Sequence, residues 1–272
     1  MVVDPSLLAV GWPGDPAVVV SAWRYGAWHT LASHGDLDVG RPWASVTKLA
    51  TALAAAIDVE QGRADLDDVL LAPGVTLAHL LSHSSGLGFE QGDPVLALAS
   101  KRVYSNYGID LAAAHLSVRS EVDTWLHTRV VAPLAMSTTR LVGRASEGLV
   151  GSTRDLAAFA REWVTPTLIS AHRRDVTTTP FLPELAGVVP GFGRFAPCPW
   201  GLGVEVRGEK HHWMGDWPQE SFGHFGRSGA LALINVDEAI CVVATSSVDF
   251  GPWARDLWPR WTSGVRELVV AE

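Results

Sequence analysis

Residues 45–62 read SVTKLATALAAAIDVEQG. Leu49, Leu53, Ala56 and Ile57 recur at helical spacing and Gly62 is a stop signal, so the segment is expected to form one helix. Ser45 falls at or just before its first turn. Ser45 and Lys48 are three residues apart, which places their side chains one turn apart on one face.

Working outward, residues 17–23 (AVVVSAW) and 27–32 (AWHTLA) flank the break Arg24-Tyr25-Gly26 and predict an antiparallel hairpin. The middle of the chain reads as short helices and loops, with helices expected at 75–82, 107–116, 122–131, 155–164 and 168–174. Ser152 and Asp155 fit a capping pattern ahead of LAAFA. Residues 177–203 are heavy in Pro and Gly and read as a long loop. Strands are expected again at 200–206, 230–236 and 239–246, and a closing amphipathic helix at 253–270. Strands at both ends with helices between them imply an α+β fold. An antiparallel sheet is built from 1–62 and 196–272 and flanked by helices, and a mostly helical subdomain, 63–195, is inserted.

Bulk properties narrow the function. The 272 residues are 47% hydrophobic and 18% charged, a globular composition able to bury a substantial core. A net charge of −8 argues against nucleic acid or an anionic membrane surface as partner. The longest apolar stretch, 49–57, is too short to span a bilayer. The N-terminal residues MVVDPSLLAVGWPGDP have no basic start and are broken by prolines and glycines, so a soluble cytoplasmic protein is expected. Cys198 and Cys241 suggest no disulfide framework, and Cys241 reads as a buried thiol. Only Lys48, Lys101 and Lys210 are lysines, against 18 arginines. Lysine, unlike arginine, is readily tuned to act as a base.

Three segments carry chemistry. A serine hydroxyl needs a base to become nucleophilic, and Lys48 lies in an apolar setting that would lower its pKa. The bland alternative is that Ser45 or Thr47 caps the helix and Lys48 snorkels to water. Tyr104 and Asn106, in VYSNYG, pair a phenol able to relay protons with an amide able to hold a carbonyl. Alone, they equally describe a turn with a helix cap. His224-Phe225-Gly226-Arg227-Ser228-Gly229 precedes a strand whose edge offers backbone N–H groups to an oxyanion, or is simply a Gly-rich turn.

SVTK, YSN and HFG occur in that order, and the set resembles the serine β-lactamase, penicillin-binding-protein and family VIII esterase superfamily, particularly its class C-like branch. HLLSHSSGL (79–87), VVAPLAM (130–136) and WGLGVEV (200–206) resemble further segments of that branch. The resemblance spans about residues 17–250. It implies Ser45 as the acylated nucleophile, Lys48 and Tyr104 sharing base duty, and Asn106 orienting substrate. His224 and Gly226 would stand in the place of the branch's K-T-G lysine and glycine. The backbone N–H groups of Ser45 and Arg227 would form the oxyanion hole.

The departures bear on substrate. His224 and Phe225 replace the Lys-Thr pair that helps hold the substrate carboxylate in β-lactamases. That favours an ester, or an amide lacking that carboxylate, over strong β-lactam hydrolysis, and His in this place is more like D-aminopeptidases and some esterases. The Arg227 side chain is a candidate replacement charge. The expected function is a serine hydrolase acting on a small ester or amide without cofactor; the alternative is a non-catalytic binding or scaffold protein that kept the fold. The sequence does not speak to oligomeric state.

Other residues read as structural. His79 and His83 have a spacing open to metal but lack H-E-x-x-H, so no metal is expected. His211 and His212 are expected in solvent, as are Glu90 and Asp93. Trp213, Trp217 and Phe222 read equally as walls of an acyl pocket or as core.

Overall fold

A computed structural model describes residues 5–270. The first strands are β1 (Ala17–Arg24), β2 (Ala27–His34) and β3 (Arg41–Pro42), followed by helix α1 (Thr47–Glu60). Next come β4 (Val69–Leu71), β5 (Val75–Thr76), α2 (Leu77–Leu81), α3 (Asn106–Leu116) and α4 (Val122–Leu126). Then follow β6 (Arg140–Leu141), β7 (Leu149–Gly151), α5 (Thr153–Val164), α6 (Ala171–Thr178), β8 (Gly187–Val189) and β9 (Gly193–Phe195). The chain closes with β10 (Glu205–Val206), β11 (Phe222–Phe225), β12 (Leu231–Asn235), β13 (Ile240–Thr245) and α7 (Pro252–Val270).

The main sheet has six strands in the order β10-β11-β12-β13-β1-β2, antiparallel throughout. Its middle is where the two ends of the chain meet, with Ala17 opposite Thr245 and Ala22 opposite Ile240. The strand period of two sorts side chains between two cores. Val19, Cys241 and Val243 pack with α1 and α5, whereas Val18, Val20, Val242 and Ala244 pack under α7. This explains why β12 and β13 are apolar at nearly every position: both faces are covered. Trp12, Trp253, Trp258 and Trp261 pack ring to ring in the α7 layer, with centroids 5.1–6.1 Å apart.

Helix α1 is buried along its length from Thr47 to Asp58, so it is a core helix rather than a surface one. Its alanines let neighbours approach closely on every side. Its N-terminal half is also tied by hydrogen bonds to residues 145–149. Leu149 N–H donates to Thr47 Oγ1 at 3.0 Å, and Thr51 Oγ1 donates to the Ala145 carbonyl at 2.7 Å.

The structure moves several sequence-based expectations. The helix expected at 168–174 begins later, as α6, because Ser170 caps it by accepting the Arg173 N–H. The expected loop 177–203 contains the hairpin β8–β9. Only Glu205 and Val206 of the strand expected at 200–206 pair in the sheet, since Gly201 to Val204 form a bend. The helix expected at 75–82 starts at Leu77, after β5 has paired with β4. Ser152 caps α5 as expected, but the Asp155 carboxylate turns away to accept from Thr138 and Thr139. Cys198 and Cys241 are both reduced and buried, and burial pushes the Cys241 thiol up to about 12. No helix among the described residues is long and apolar enough to cross a membrane.

Candidate active site

Ser45 sits in a single 3₁₀ turn, Ala44–Val46, that feeds directly into α1. The turn hangs from the buried Trp43, whose backbone N–H donates to the Leu149 carbonyl and whose indole N–H donates to the Gly151 carbonyl. Ala44 has φ +45°, a left-handed conformation that an alanine adopts only at an energetic cost. Strain of this kind, one residue before a half-buried serine, holds the hydroxyl at the end of the helix instead of letting it fold into a cap.

Lys48 is fully buried. Its Nζ lies 3.2 Å from Ser45 Oγ, 2.7 Å from Asn106 Oδ1 and 2.8 Å from the Ser146 carbonyl oxygen, over the Tyr104 ring at 4.7 Å from the centroid. Burial lowers its pKa to about 7, although the carboxylates of Asp110, Glu147 and Glu90 pull it upward. Arg144 offsets them by binding Glu90 and Glu147 directly. At pH 7 roughly half of such amines are free base, against about one in three thousand at the ordinary lysine value.

Tyr104 is brought in from the segment before α3. Its hydroxyl lies 3.5 Å from His224 Nε2. Burial raises its pKa above the ordinary phenol value, so it stays protonated at neutral pH. The ring is held by His83 and Trp200, at centroid distances of 4.8 and 5.8 Å, and stacks on Phe89 at 6.0 Å. His83 is itself buried, and its Nδ1 accepts the Ser105 N–H, so it supports the tyrosine. Asn106 opens α3 beneath Ser105, which caps the helix through Gly108 N–H. Its Oδ1 is committed to Lys48 and one Nδ2 hydrogen to Glu90 Oε1 at 3.0 Å.

His224 ends β11. Its Nδ1 donates to the Phe225 carbonyl at 2.7 Å, which leaves Nε2 as an acceptor facing Tyr104. Burial and the nearby Lys48 lower its pKa to about 3, so the ring is neutral and supplies no cation where a K-T-G lysine would. Gly226 lies so close to the serine turn that a Cβ there would stand 2.3 Å from the Trp43 oxygen and 3.2 Å from Ser45 N. Among the described residues, neither Ser45 N–H nor Arg227 N–H donates a backbone hydrogen bond. These two N–H groups lie on adjoining segments, next to the Ser45 hydroxyl. The Arg227 side chain is exposed.

Ser45, Lys48, Tyr104, Asn106, His224 and Gly226 thus converge from three separate segments. Sequence reasoning missed the outer groups Asp110, Arg144, Ser146 and Glu147. Asp110 alone carried a signal, one turn after Asn106 on the same face of α3. Glu90 was expected in solvent, but it is half-buried and joins Arg144 to Asn106. Asp93 is exposed, as expected. His212 was also expected in solvent and is instead buried against Glu205 at 2.8 Å, while His211 is exposed. Trp213, Trp217 and Phe222 belong to the core. His79 caps α2 through Thr76 rather than facing His83, and no group of three or more metal-binding side chains occurs among the described residues.

The profile of the Beta-lactamase family matches residues 15–263, and the chain belongs to that family. A solved beta-lactamase from Mycobacterium bovis is 37% identical with a TM-score of 0.92, covering 98% of this chain and 99% of that one. Two more distant solved structures share the fold. A mutant of simvastatin synthase from Aspergillus terreus is 15% identical with a TM-score of 0.80, covering 100% and 99% of the two chains. A D-stereospecific amidohydrolase from Streptomyces sp. is 17% identical with a TM-score of 0.69, covering 97% and 98%. No curated protein matches the sequence.

Proposed function

We propose that the protein is a serine hydrolase that cleaves small esters or amides through an acyl-enzyme on Ser45. The observation that carries this is the hydrogen bonding of Lys48. Once the amine is neutral, its two hydrogens are taken by Asn106 Oδ1 and the Ser146 carbonyl, so its lone pair is left for the Ser45 hydroxyl. Lys48 accepts the Ser45 proton as Oγ attacks the carbonyl carbon. The oxyanion is held by the N–H groups of Ser45 and Arg227. The Tyr104 phenol, kept protonated by burial, passes its proton to the departing alcohol or amine and takes in its place the proton that Lys48 received from Ser45, so that both groups return to their starting states. Water then attacks the acyl-enzyme by the same route in reverse, releasing the acid and restoring Ser45.

Ester cleavage is favoured over strong β-lactam cleavage because the residue in the place of the K-T-G lysine, His224, is neutral. The closeness of this fold to a beta-lactamase and to a D-stereospecific amidohydrolase keeps amides in the substrate class.

A fluorophosphonate or activated ester is expected to add one label mass to the intact protein, mapped to Ser45 by peptide sequencing, and none to Ser45→Ala. A wild-type protein that never labels would sink the proposal. Rates on a short-chain p-nitrophenyl ester, a chromogenic cephalosporin and a D-alanyl amide are expected to fall in that order. Gly226→Ala is expected to lower kcat/KM about 10²–10³-fold, because the added methyl group forces apart the two backbone donors. Full activity in that variant would detach Gly226 from the site.

A further inference from the structure

We propose that the cavity beside Tyr104 is the leaving-group subsite, built for an apolar group that ends in a carboxylate. The inference rests on the acyl-enzyme reading above. In that reading Tyr104 protonates the leaving atom, and of the candidate site residues Tyr104 alone lines the cavity, so a departing alcohol or amine long enough to pass the Tyr104 ring extends into it.

The cavity is about 600 Å³, within the range that encloses a small ligand. Its walls are Phe89, Leu96, Val103, Tyr104, Val188 and Pro190. A larger cavity of about 1030 Å³ lies near Asp65 and His172 and is lined by none of the candidate active-site residues.

The charges around the smaller cavity are one-sided. Lys101, Arg102 and Arg194 line it and no carboxylate does, in a chain whose net charge is −8. Arg102 is not available to a ligand. It is buried, and its guanidinium donates to the carbonyls of Ser82, Phe181, Leu182 and Cys198. Its backbone N–H donates to Ala186 O, and the segment bridges to Gly187, where a Cβ would stand 2.4 Å from the Arg102 Cβ. Arg102 therefore fixes the hairpin β8–β9 against residues 101–104. That docking places Arg194 of β9 and Lys101 on the same cavity. Both are exposed, and neither has an ion-pair or hydrogen-bond partner among the described residues.

Two free cations at the rim of an apolar cavity select a ligand with an apolar body and an anionic end. The anion lies on a spacer beyond Tyr104 rather than beside Ser45, consistent with the neutral His224 there.

The test uses acetate esters of 4-hydroxybenzoic acid and of 4'-hydroxybiphenyl-4-carboxylic acid, each against its carboxamide, with every rate normalised to hydroxide-catalysed hydrolysis. The acyl group is common, so only the leaving group differs. The carboxylate-to-carboxamide ratio of kcat/KM for the better-fitting spacer is expected to be about five to ten. It should fall with added salt. In K101E/R194E the ratio is expected to drop below one, and a ratio taken on one sample is insensitive to how much of the variant folds. Equal rates for carboxylate and carboxamide at both lengths overturn the subsite while leaving the hydrolase reading intact. So does an unchanged ratio in the double variant, or a preference seen only when the carboxylate is on the acyl side, as in a 4-nitrophenyl hemisuccinate. No turnover of any ester overturns both readings.

Discussion

Lys48→Met is expected to lower kcat/KM for an activated ester about 10³–10⁴-fold, the size of a lost general base. The wild-type profile supplies the matching signature. Only the neutral amine can take the Ser45 proton, so kcat/KM is expected to rise with pH through about 7 and then level off. Asp110 and Glu147 hold the ammonium form against burial, and Arg144 works against them. His83 and His224 also face the amine, but burial keeps both neutral, so neither titrates in this range. Asp110→Asn removes one of the upward influences and is expected to move the midpoint to lower pH, an effect a purely structural lysine would not produce. A flat profile from pH 5 to 9 would refute the assignment of Lys48 as base. The same group affects stability with a definite sign. Its folded value lies below the ordinary 10.5, so between about 7 and 10.5 the unfolded chain binds more protons and stability rises with pH.

The fold was legible because its signals are local and redundant. The hairpin β1–β2, helix α1, strands β12 and β13 and helix α7 each carry their own period and their own breakers. What the sequence hid was the pairing of short pieces. Glu205 and Val206 join the sheet for two residues only, and β8–β9 is a hairpin of three-residue strands. Neither is long enough to show a period, and each is held by distant contacts such as the Arg102 clamp.

The site divides the same way. Ser45, Lys48, Tyr104, Asn106, His224 and Gly226 stand out in the sequence because each lies in a short motif, and the structure brings these motifs within reach of one another. Glu90 and His212 were misplaced because loop composition suggests solvent. Each is held by one partner, Arg144 for Glu90, 54 residues on, and Glu205 for His212, 7 residues back. A single charged partner decides such cases, and no periodicity announces it.

Glu205 itself gives the largest expected loss of stability. Its carboxylate is fully buried on β10, one strand from His224. Oε1 accepts from Lys210 Nζ and His212 Nε2, both at 2.8 Å, and Oε2 accepts from the Trp213 indole at 2.9 Å. Burial alone would push this carboxyl upward, but Lys210 and His212 outweigh it and hold the group below the ordinary carboxylate range. His212 is shifted down by burial and stays neutral; its Nδ1 accepts Met214 N–H, so Nε2 carries the proton given to Glu205. Glu205→Ala strands a buried ammonium and two N–H donors, a loss of about 3–5 kcal/mol. Glu205→Gln retains acceptor oxygen and should lose less. Replacing Glu205 and Lys210 together by methionine removes the charge with its partner, and is expected to recover much of the stability that alanine loses. Urea unfolding of the three variants at pH 7 checks this order. If Glu205→Ala unfolds within about 1 kcal/mol of wild type, the network is not the buried ion pair described.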